Sequence, residues 1–336
     1  MIRASEAVRV ADASQVAAAR RTASRFAESL HMSETGAGHA ALVATELATN
    51  LIKHGDGGWL LLGADELRPK TLVMIAYDKG RGIANVPMAL QDGYSTAGSP
   101  GTGLGAIYRA ASAVDLYTLP ERGTFVHCVI ADNGTAPSPL QRPPRMIVGG
   151  LALPKPEESA NGDSWAAVAD GDIVTVGIAD GLGHGPVAAT ASAAAARVIA
   201  GAASLSLPQL MQDAHAALRS TRGAAVGVAR IDPALGRVDF VGVGNIAGTI
   251  VTDDGMRKTV SLPGIVGHEM RKVQTFSYPW AQGSVLILHS DGISGSWSTA
   301  AYPGLVQHPP ALIASVLYRD FCRGTDDATV VVAKAV

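Results

Sequence analysis

The stretch NGDSWAAVADGDIVTVGIADGLGHG, residues 161–185, contains two apolar strand patterns separated by Asp170-Gly171. Asp-Gly between two such patterns is typical of a tight hairpin turn. If the strands pair around that turn, Asp163 and Asp180 come together at the open end of the hairpin. The stretch therefore predicts both a β-hairpin and a pair of neighbouring carboxylates.

Two further strand ends carry acids. SVLILHSDGIS, 284–294, ends an apolar strand at Asp291, and TDDATVVVAKAV, 325–336, starts a strand after Asp326 and Asp327. Carboxylates from four strand ends can converge on one point, where their mutual repulsion would raise their pKa values unless cations compensate them. Oxygen ligands suit Mg²⁺ or Mn²⁺, and the absence of a Cys/His ligand set argues against zinc. Two such cations, about 4 Å apart, would activate a water for in-line attack on phosphorus.

The segments NGD, ADGLGHG, SDGIS and DDATVVV, in this order, resemble the metal-dependent serine/threonine phosphatases of the PP2C class. The resemblance covers about 146–336 and is strongest to the bacterial branch that includes the sporulation phosphatase and the stressosome reset phosphatase. It implies an αββα sandwich holding two Mn²⁺ or Mg²⁺ ions. The ligands that it implies are Asp163, Asp180, the Gly181 carbonyl, Asp291 and Asp326.

Two neighbouring residues each have two possible interpretations, and one neighbouring segment has a structural interpretation. Asp327 is either an outer partner of the cations or a spare acid. His184 either donates to the phosphate or is structural. GVGNIAG, 242–248, matches a strand–turn signature of the same class, which we interpret as structural.

The first part of the chain carries a different set of polar residues. In GHAALVATELATNLIKHG, 38–55, a helix would place Glu46 and Asn50 one turn apart on one face. The amide oxygen could coordinate Mg²⁺, and the carboxylate could orient or deprotonate a nucleophile. In LVMIAYDKGRGI, 72–83, an apolar strand delivers Asp78 to a glycine-containing turn, which suits recognition of a ring amino group.

A second glycine-rich run, SPGTGLGA at 99–106, leads into a helix predicted to begin near Ala106. Backbone N–H groups at the N-terminus of a helix bind phosphate. The run lacks both the βαβ context of a dinucleotide fingerprint and the Gly-Lys-Ser/Thr of a P-loop. Gly123 and Thr124 then open a strand after a turn.

The segments ELATNLIKHG, DKGRGI, GSPGTGLGA and GTFV, in order, resemble the motif boxes of the GHKL ATPase/kinase superfamily. The likeness covers nearly all of 1–131 and is closest to the small serine kinases of bacterial anti-sigma and stressosome switches. It implies a Bergerat-type α/β sandwich that binds ATP with Mg²⁺, with Asn50 on Mg²⁺, Asp78 on the adenine amino group and Glu46 as general base, under a lid at about 84–100. The nucleotide contacts that it implies are Asn50, Lys53, Asp78, Gly80, Gly82, Gly101, Thr102, Gly103, Leu104, Gly105 and Thr124. Lys53 and Arg109 are candidate phosphate contacts, with a solvated charge as the alternative for both.

The 336 residues divide at the proline-rich stretch DNGTAPSPLQRPPR, 132–145, which predicts a linker between domains at 1–131 and 146–336. A net charge of −2 without a basic block argues against a nucleic-acid partner. The alanine-rich run at 187–203 is interrupted by Ser192 and Arg197, so we expect a soluble helix rather than a membrane span. No secretory signal is visible at the N-terminus, and we expect a cytoplasmic protein.

The two resemblances together predict an α+β chain that both phosphorylates and dephosphorylates serine or threonine. They imply a partner with a STAS domain that controls a sigma factor or a stress pathway. Two alternatives remain open: an ATP-binding module that sequesters a partner without phosphorylating it, and a metal-bound scaffold without phosphatase activity. Whether the chain forms a homodimer also remains open.

Overall fold

The computed structural model describes residues 2–65, 68–89, 103–132 and 145–335. The chain forms two compact units, Met1–Gln141 with Tyr302–Leu312, and Arg142–Ala301 with Ile313–Val336. Most of the predicted linker and of the predicted lid, together with Gly101 and Thr102, lies outside the described residues. The domain boundaries at 131 and 146 therefore stay predictions. The sequence did not predict that Tyr302–Leu312 groups with the first unit.

The first unit is built on an antiparallel sheet in the strand order β1-β2-β3-β5-β4, with its core between the sheet and the helices. Its elements, in chain order, are β1 (Ile2–Val10), α1 (Ala13–Ser29), α2 (Glu34–Gly55), β2 (Gly58–Asp65), β3 (Thr71–Asp78), α3 (Val86–Ala89), α4 (Gly103–Ala110), β4 (Ala113–Leu119) and β5 (Gly123–Ala131).

The longest helix, α2, carries the predicted nucleotide residues because one of its faces is apolar and the other is not. Leu47 and Leu51, one turn apart, are buried in the core, whereas Glu46 and Asn50 are only partly buried. Ser33 caps the start of the helix, where its hydroxyl accepts from the Gly36 N–H at 3.1 Å. The helix thus carries a polar stripe, formed by Glu46 and Asn50, beside its buried apolar face.

The second unit contains two antiparallel sheets, in the strand orders β13-β10-β9-β8-β7 and β12-β11-β14-β15-β6. Its elements are β6 (Met146–Leu153), β7 (Asp163–Asp170), β8 (Ile173–Gly181), α5 (Gly185–Ala200), α6 (Leu207–Leu218), β9 (Ala224–Asp232), β10 (Arg237–Val243), β11 (Ala247–Thr252), β12 (Gly255–Lys258), β13 (Phe276–Pro279), β14 (Val285–His289), α7 (Pro310–Phe321, which begins at the edge of the first unit) and β15 (Ala328–Ala335). Strands β7 and β8 contact β14 and β15 across the two sheets, and α5 and α6 cover the first sheet. The α+β class predicted for the chain is confirmed.

The hairpin that opened the sequence analysis forms with one correction. Asp163 and Asp180 come together as predicted, and they are direct partners because Asp170 pairs with Ile173. The turn residues are therefore Gly171-Asp172 rather than the predicted Asp170-Gly171. Gly171 has a φ of +59° at the first turn position. A type II′ turn requires glycine at that position, whereas the predicted Asp-Gly turn would place it second.

Several of the elements that the sequence did not predict are short, polar or rich in glycine. Strand β1, IRASEAVRV, carries charges, β6 contains two adjacent glycines and β12 is only four residues long. Helix α4 begins at Gly103, three residues before the predicted start, so Gly103 and Gly105 lie in its first turn. Within the described ranges, no helix is long and apolar enough to cross a membrane.

Candidate functional site

The centre of the candidate site in the second unit is the open end of the β7–β8 hairpin. Asp163 begins β7 and is buried, and it lies directly opposite Asp180, which is partly buried near the end of β8. Asp163 Oδ2 accepts a hydrogen bond of 2.6 Å from the Ser290 hydroxyl. The Asp163 N–H donates to Asn161 Oδ1 at 2.9 Å. Both the side chain and the backbone of Asp163 are therefore held by the protein.

Burial and like charges raise the pKa values of this pair. Burial raises the pKa of Asp163 to about 7, against the lowering effect of the Ser290 hydrogen bond. Burial also raises the pKa of Asp180 to about 8, and the charges of four other aspartates add to the rise. Those aspartates are Asp163, Asp291, Asp326 and Asp327. The fold thus brings the predicted acids close enough to repel one another.

Asp291 and Asp326 stand on the more open side of this group. Asp291 is exposed, and its Oδ2 accepts from Asn245 Nδ2 at 2.7 Å. Asp326 is partly buried, and its Oδ1 accepts from the Asp327 N–H at 2.9 Å. The group therefore runs from a buried carboxyl at Asp163 to a solvent-facing one at Asp291, which leaves an approach for a ligand from outside.

Asp327 makes different contacts from those of the adjacent Asp326. Its Oδ1 accepts from the Lys155 N–H at 2.8 Å, and its Oδ2 accepts from the Gly162 N–H at 2.9 Å. Each oxygen thus ties the loop between β6 and β7 to the start of β15. These bonds favour the interpretation of Asp327 as an outer partner of the cations rather than a spare acid, because Asp327 fixes the segment that leads into Asp163.

Glycines allow the backbone to approach closely around the acids. A Cβ on Gly181 would stand 2.2 Å from the Ala188 carbonyl oxygen, and one on Gly292 would stand 2.0 Å from the Asp327 carbonyl oxygen. Neither position can hold a side chain without displacing backbone. The Gly181 N–H donates to the Gly162 carbonyl at 3.1 Å, which sets the end of β8 against the loop before Asp163.

The donor set fits hard divalent cations. The acids supply only oxygen ligands. The raised pKa values of Asp163 and Asp180 show that ionising both carboxyl groups is unfavourable unless a positive charge compensates them. Gly181 permits the close backbone approach that a carbonyl ligand needs. Among the described residues, no three His, Cys, Asp or Glu side chains converge as a complete metal-binding group. The site is therefore a set of neighbouring carboxylates, and the ligand assignments stay predictions.

His184 lies at the N-cap of α5, just after the aspartate loop. Its Nδ1 stands 2.8 Å from Glu158 Oε1, and about half of the His184 side chain is exposed. Burial raises the pKa of Asp327, and the nearby imidazole of His184 acts weakly against that rise. The pair with Glu158 orients the imidazole at the rim of the carboxylate group, and both interpretations of His184 remain open.

In the first unit, α2 and α4 bring three predicted residues together. A Cβ on Gly103 would lie 3.1 Å from Glu46 Oε2 and 3.3 Å from Asn50 Oδ1. The start of α4 thus lies directly on the polar stripe of α2. The N–H groups in the first turn of a helix have no partner within that helix. A phosphate chain at this place would meet those groups and the Asn50 amide oxygen together.

Asp78 forms a second polar centre at the end of β3. Its Oδ1 accepts from the Gly80 N–H at 2.8 Å and from the Thr124 N–H at 3.2 Å. A Cβ on Gly55, at the end of α2, would stand only 2.5 Å from the Asp78 Cβ. Gly55 and Asn50 are about 7.5 Å apart along the helix, given a rise of 1.5 Å per residue. One helix therefore spaces the two polar centres.

Gly82, with a φ of +73°, completes this centre. A Cβ there would lie 2.4 Å from the Leu119 carbonyl oxygen. Thr118 Oγ1 accepts from the Ile83 N–H at 2.9 Å and lies 3.1 Å from Thr124 Oγ1. The DKGRGI turn is therefore fixed against the β4–β5 hairpin.

The remaining predicted residues of this unit lie on α2 and α4. Leu104 and Gly105 are partly buried in α4, and Lys53 and Arg109 are exposed on α2 and α4. The assignment of Lys53 and Arg109 as phosphate contacts stays a prediction.

Sequence reasoning missed three polar residues that hold the predicted ones. Ser290 contacts Asp163, Asn245 contacts Asp291, and Thr118 orders the turn after Asp78. The signals for the first two were local: a hydroxyl directly before Asp291 and an amide inside GVGNIAG. Their partners are far away in sequence, so the pattern alone could not reveal the contacts.

Known families match both parts of the chain. Residues 170–336 match the family described as Stage II sporulation protein E (SpoIIE), and residues 10–127 match the Histidine kinase-like ATPase domain. The two matches confirm the two resemblances, with a histidine kinase-like ATPase domain in the first part of the chain and a SpoIIE domain in the second. Asp163 precedes the matched SpoIIE range, so its place in the site rests on its pairing with Asp180.

Curated relatives match the two parts separately. Phosphoserine phosphatase RsbX of Bacillus subtilis (strain 168) is 27% identical over 143 residues, 42% of this chain and 72% of that protein. Serine/threonine-protein kinase RsbT of the same organism is 26% identical over 125 residues, 36% of this chain and 92% of that protein. Among solved structures, one described as "The bacterial stressosome: a modular system that has been adapted to control secondary messenger signaling" shares 27% identity. It covers 56% of this chain and 99% of its own, with a TM-score of 0.53.

Proposed function

We propose that this chain, which carries a kinase-like ATPase domain and a PP2C-type domain, adds phosphate to and removes phosphate from a regulatory partner protein. The observation that carries the proposal is that each compact unit gathers its own acid-centred site. In the first unit, Glu46 and Asn50 meet the start of α4. In the second unit, aspartates from separate strand ends surround Asp180. The opposed activities would let partner phosphorylation follow the nucleotide level and upstream signals.

In the phosphatase reaction, Asp163, Asp180, Asp291, Asp326 and the Gly181 carbonyl would hold two Mn²⁺ or Mg²⁺ ions. Such cations supply a water of lowered pKa and offset the charge of the phosphate. In the net reaction, the bond between phosphorus and the serine or threonine oxygen breaks, the water oxygen joins phosphorus, and the side-chain oxygen takes a proton. The exposed position of Asp291 leaves room for a phosphorylated segment of a partner.

In the kinase reaction, Asn50 would hold Mg²⁺, Asp78 would accept from the adenine amino group, and the first turn of α4 would bind phosphates. Glu46 would take the proton of the partner hydroxyl as its oxygen attacks the γ-phosphorus, and ADP would leave. The closeness of Gly103 to Glu46 supports this role, because phosphates bound at the first turn of α4 would lie beside the carboxylate.

The proposed partner is a STAS-domain protein of a stress or sigma-factor switch. Support comes from the similarity to RsbT and RsbX and to a solved structure described as a bacterial stressosome. A net charge of −2 without a basic block agrees with a protein partner rather than a nucleic acid.

The phosphatase is tested with Mn²⁺ and p-nitrophenyl phosphate, and then with a phosphorylated STAS protein. Asp180→Asn and Asp291→Asn should each abolish Mn²⁺-dependent hydrolysis. Asp170→Asn, an exposed change at the far end of the same hairpin, should leave hydrolysis unchanged. If the wild-type chain shows no Mn²⁺-dependent hydrolysis, the scaffold alternative holds; hydrolysis that persists in Asp180→Asn would exclude a catalytic role for that residue.

The kinase is tested with γ-labelled ATP and the same STAS protein. Glu46→Gln should abolish transfer while leaving ATP and partner binding intact. Glu34→Gln, in the exposed first turn of the same helix, is the matched control. If the wild-type chain binds ATP and the partner but transfers no phosphate, the N-terminal domain is a sequestration module instead.

A further inference from the structure

Ser290 joins the two sheets of the second unit at the predicted cation site. It follows the last residue of β14 and is fully buried. Its Oγ lies 2.6 Å from Asp163 Oδ2, on β7 of the other sheet, and 3.0 Å from the N–H of Thr329 on β15. The side chain thus contacts both sheets at the point where the aspartates gather.

The direction of these two hydrogen bonds follows from the donors available. A backbone N–H can only donate, so the Thr329 N–H uses a lone pair of Ser290 Oγ. The single hydroxyl proton then goes to Asp163 Oδ2, which must be an acceptor. One oxygen of Asp163 is therefore committed to a bond inside the protein.

The backbone of Ser290 is fixed as well. Its N–H donates to the Thr329 carbonyl at 3.1 Å, and its own carbonyl lies 2.9 Å from His289 Nδ1. A hydroxyl on so constrained a residue has little freedom to follow Asp163. The carboxylate therefore takes its orientation from the serine rather than the reverse.

We infer that Ser290 is a positioning residue for the cation site: its hydroxyl fixes the orientation of the Asp163 carboxylate, so that Oδ1 is presented for ligation. This inference rests on the proposed phosphatase function for the identity of the site. Ser290 itself contacts neither the cation nor the substrate. Hydrogen-bond partners that orient metal ligands change metal affinity even though they do not touch the metal.

A buried serine nearby offers a matched control. Ser192, on α5, is equally buried, and its Oγ contacts Ser164 Oγ at 3.2 Å, one residue after Asp163. Ser192→Ala removes a serine hydroxyl beside the same strand but leaves the bond to Asp163 intact. The pair of variants separates the loss of a buried hydroxyl from the loss of the Asp163 contact.

The test is calorimetric titration of the full, nucleotide-free chain with Mn²⁺, together with hydrolysis of p-nitrophenyl phosphate. Ser290→Ala should weaken Mn²⁺ binding by about 10- to 100-fold, the range found for other partners of this kind. Ser192→Ala should stay within about twofold of wild type, because sites without shared partners behave independently. Saturating Mn²⁺ should restore most of the hydrolysis in Ser290→Ala, since the variant alters occupancy.

The outcomes distinguish the inference from the proposed function. Wild-type affinity in Ser290→Ala, or an equal loss in both alanine variants, overturns the positioning role while the phosphatase proposal stands. If the wild-type chain binds Mn²⁺ but hydrolyses nothing, the proposed function fails, and Ser290→Ala still tests the positioning role. If the wild type binds no Mn²⁺, both are overturned. Should Ser290→Ala not fold, Ser290→Cys keeps the side-chain size with a weak donor, and wild-type affinity in that variant also overturns the inference.

Discussion

Asp163 and Asp180 are cross-strand partners at the open end of the β7–β8 hairpin, and both have raised pKa values because they are buried together. An antiparallel pair places opposite side chains on the same face of the sheet, so the two carboxyl groups cannot avoid each other. The stability of the metal-free protein must therefore depend on their ionisation. That dependence supplies tests that need no knowledge of the natural substrate.

The first prediction concerns pH. The folded-state pKa values, about 7 and about 8, lie above the unfolded value of 3.8, so the folded chain binds more protons between these limits. Stability must then fall as the pH rises through this range. His127 and His289, whose pKa values burial lowers, act in the opposite direction below about 6.5. The clean window is therefore from about pH 6.5 to 8.

Urea unfolding in EDTA across this window measures the effect. The free energy of unfolding of the metal-free chain should decrease as the pH rises. Saturating Mn²⁺ should remove the decrease, because metal binding favours ionised carboxylates. A flat or rising profile in EDTA would contradict the proposed burial of the pair.

The second prediction is that Asp180→Asn stabilises the metal-free protein although it removes a predicted ligand. The amide relieves the repulsion and needs no ionisation. At pH 8 the gain should be at least about 1.4 kcal/mol, the free energy that corresponds to one pKa unit. The same variant should lose most of the Mn²⁺-induced rise in Tm. Asp170→Asn should change neither quantity, and destabilisation of metal-free Asp180→Asn would refute the prediction.

The third prediction concerns Asn245. Its Nδ2 donates to Asp291 Oδ2 at 2.7 Å and orients that carboxylate from the turn between β10 and β11. Asn245→Ala should weaken Mn²⁺ binding by about tenfold, as expected for a hydrogen-bond partner of a ligand. Gln209→Ala removes an exposed amide on α6 and should have no effect on the titration. Unchanged Mn²⁺ affinity in Asn245→Ala would show that Asp291 orients itself without the amide.

The fourth prediction separates a structural glycine from an unconstrained one. Gly181→Ala would place a Cβ 2.2 Å from the Ala188 carbonyl oxygen, and backbone must move to relieve that contact. We expect a loss of stability of about 1–3 kcal/mol, typical of overpacking. A Cβ on Gly295 meets nothing within 4 Å, so Gly295→Ala is the control. Equal unfolding midpoints for the two variants would contradict the close approach of α5 to β8.

The fifth prediction concerns nucleotide binding by the first unit. Asp78→Asn retains an Oδ1 that can accept from the Gly80 and Thr124 N–H groups, so the fold should survive. Its amide would place a donor where the proposed adenine contact needs an acceptor, and ATP affinity should fall by about tenfold or more. Asp56→Asn, in the left-handed position that follows α2, should bind ATP normally. Wild-type affinity in Asp78→Asn would exclude the adenine contact.

The sequence by itself determined that Asp163 and Asp180 come together at the open end of a hairpin and that Glu46 and Asn50 share one helix face. Both results are local. Alternating strand patterns and a two-residue turn set the hairpin register, and the helical repeat places residues four apart on one face. The predicted turn was wrong by one residue, which changes the partner of Asp163 from Ile178 to Asp180, because a type II′ turn requires glycine at its first position and Gly171 occupies it.

Only the tertiary structure decided what surrounds those acids. The Ser290 hydroxyl donates to Asp163, which lies 127 residues away in the sequence, and Asp327 accepts from the Gly162 N–H, which lies 165 residues away. No periodic pattern in the sequence predicts such contacts, because they form where the two sheets and their connecting loops pack together. The sequence therefore determined which residue types stand at the strand ends. The stacking of the sheets decided which carboxylate oxygens the protein itself holds, because hydrogen bonds between distant segments exist only once those segments are packed together.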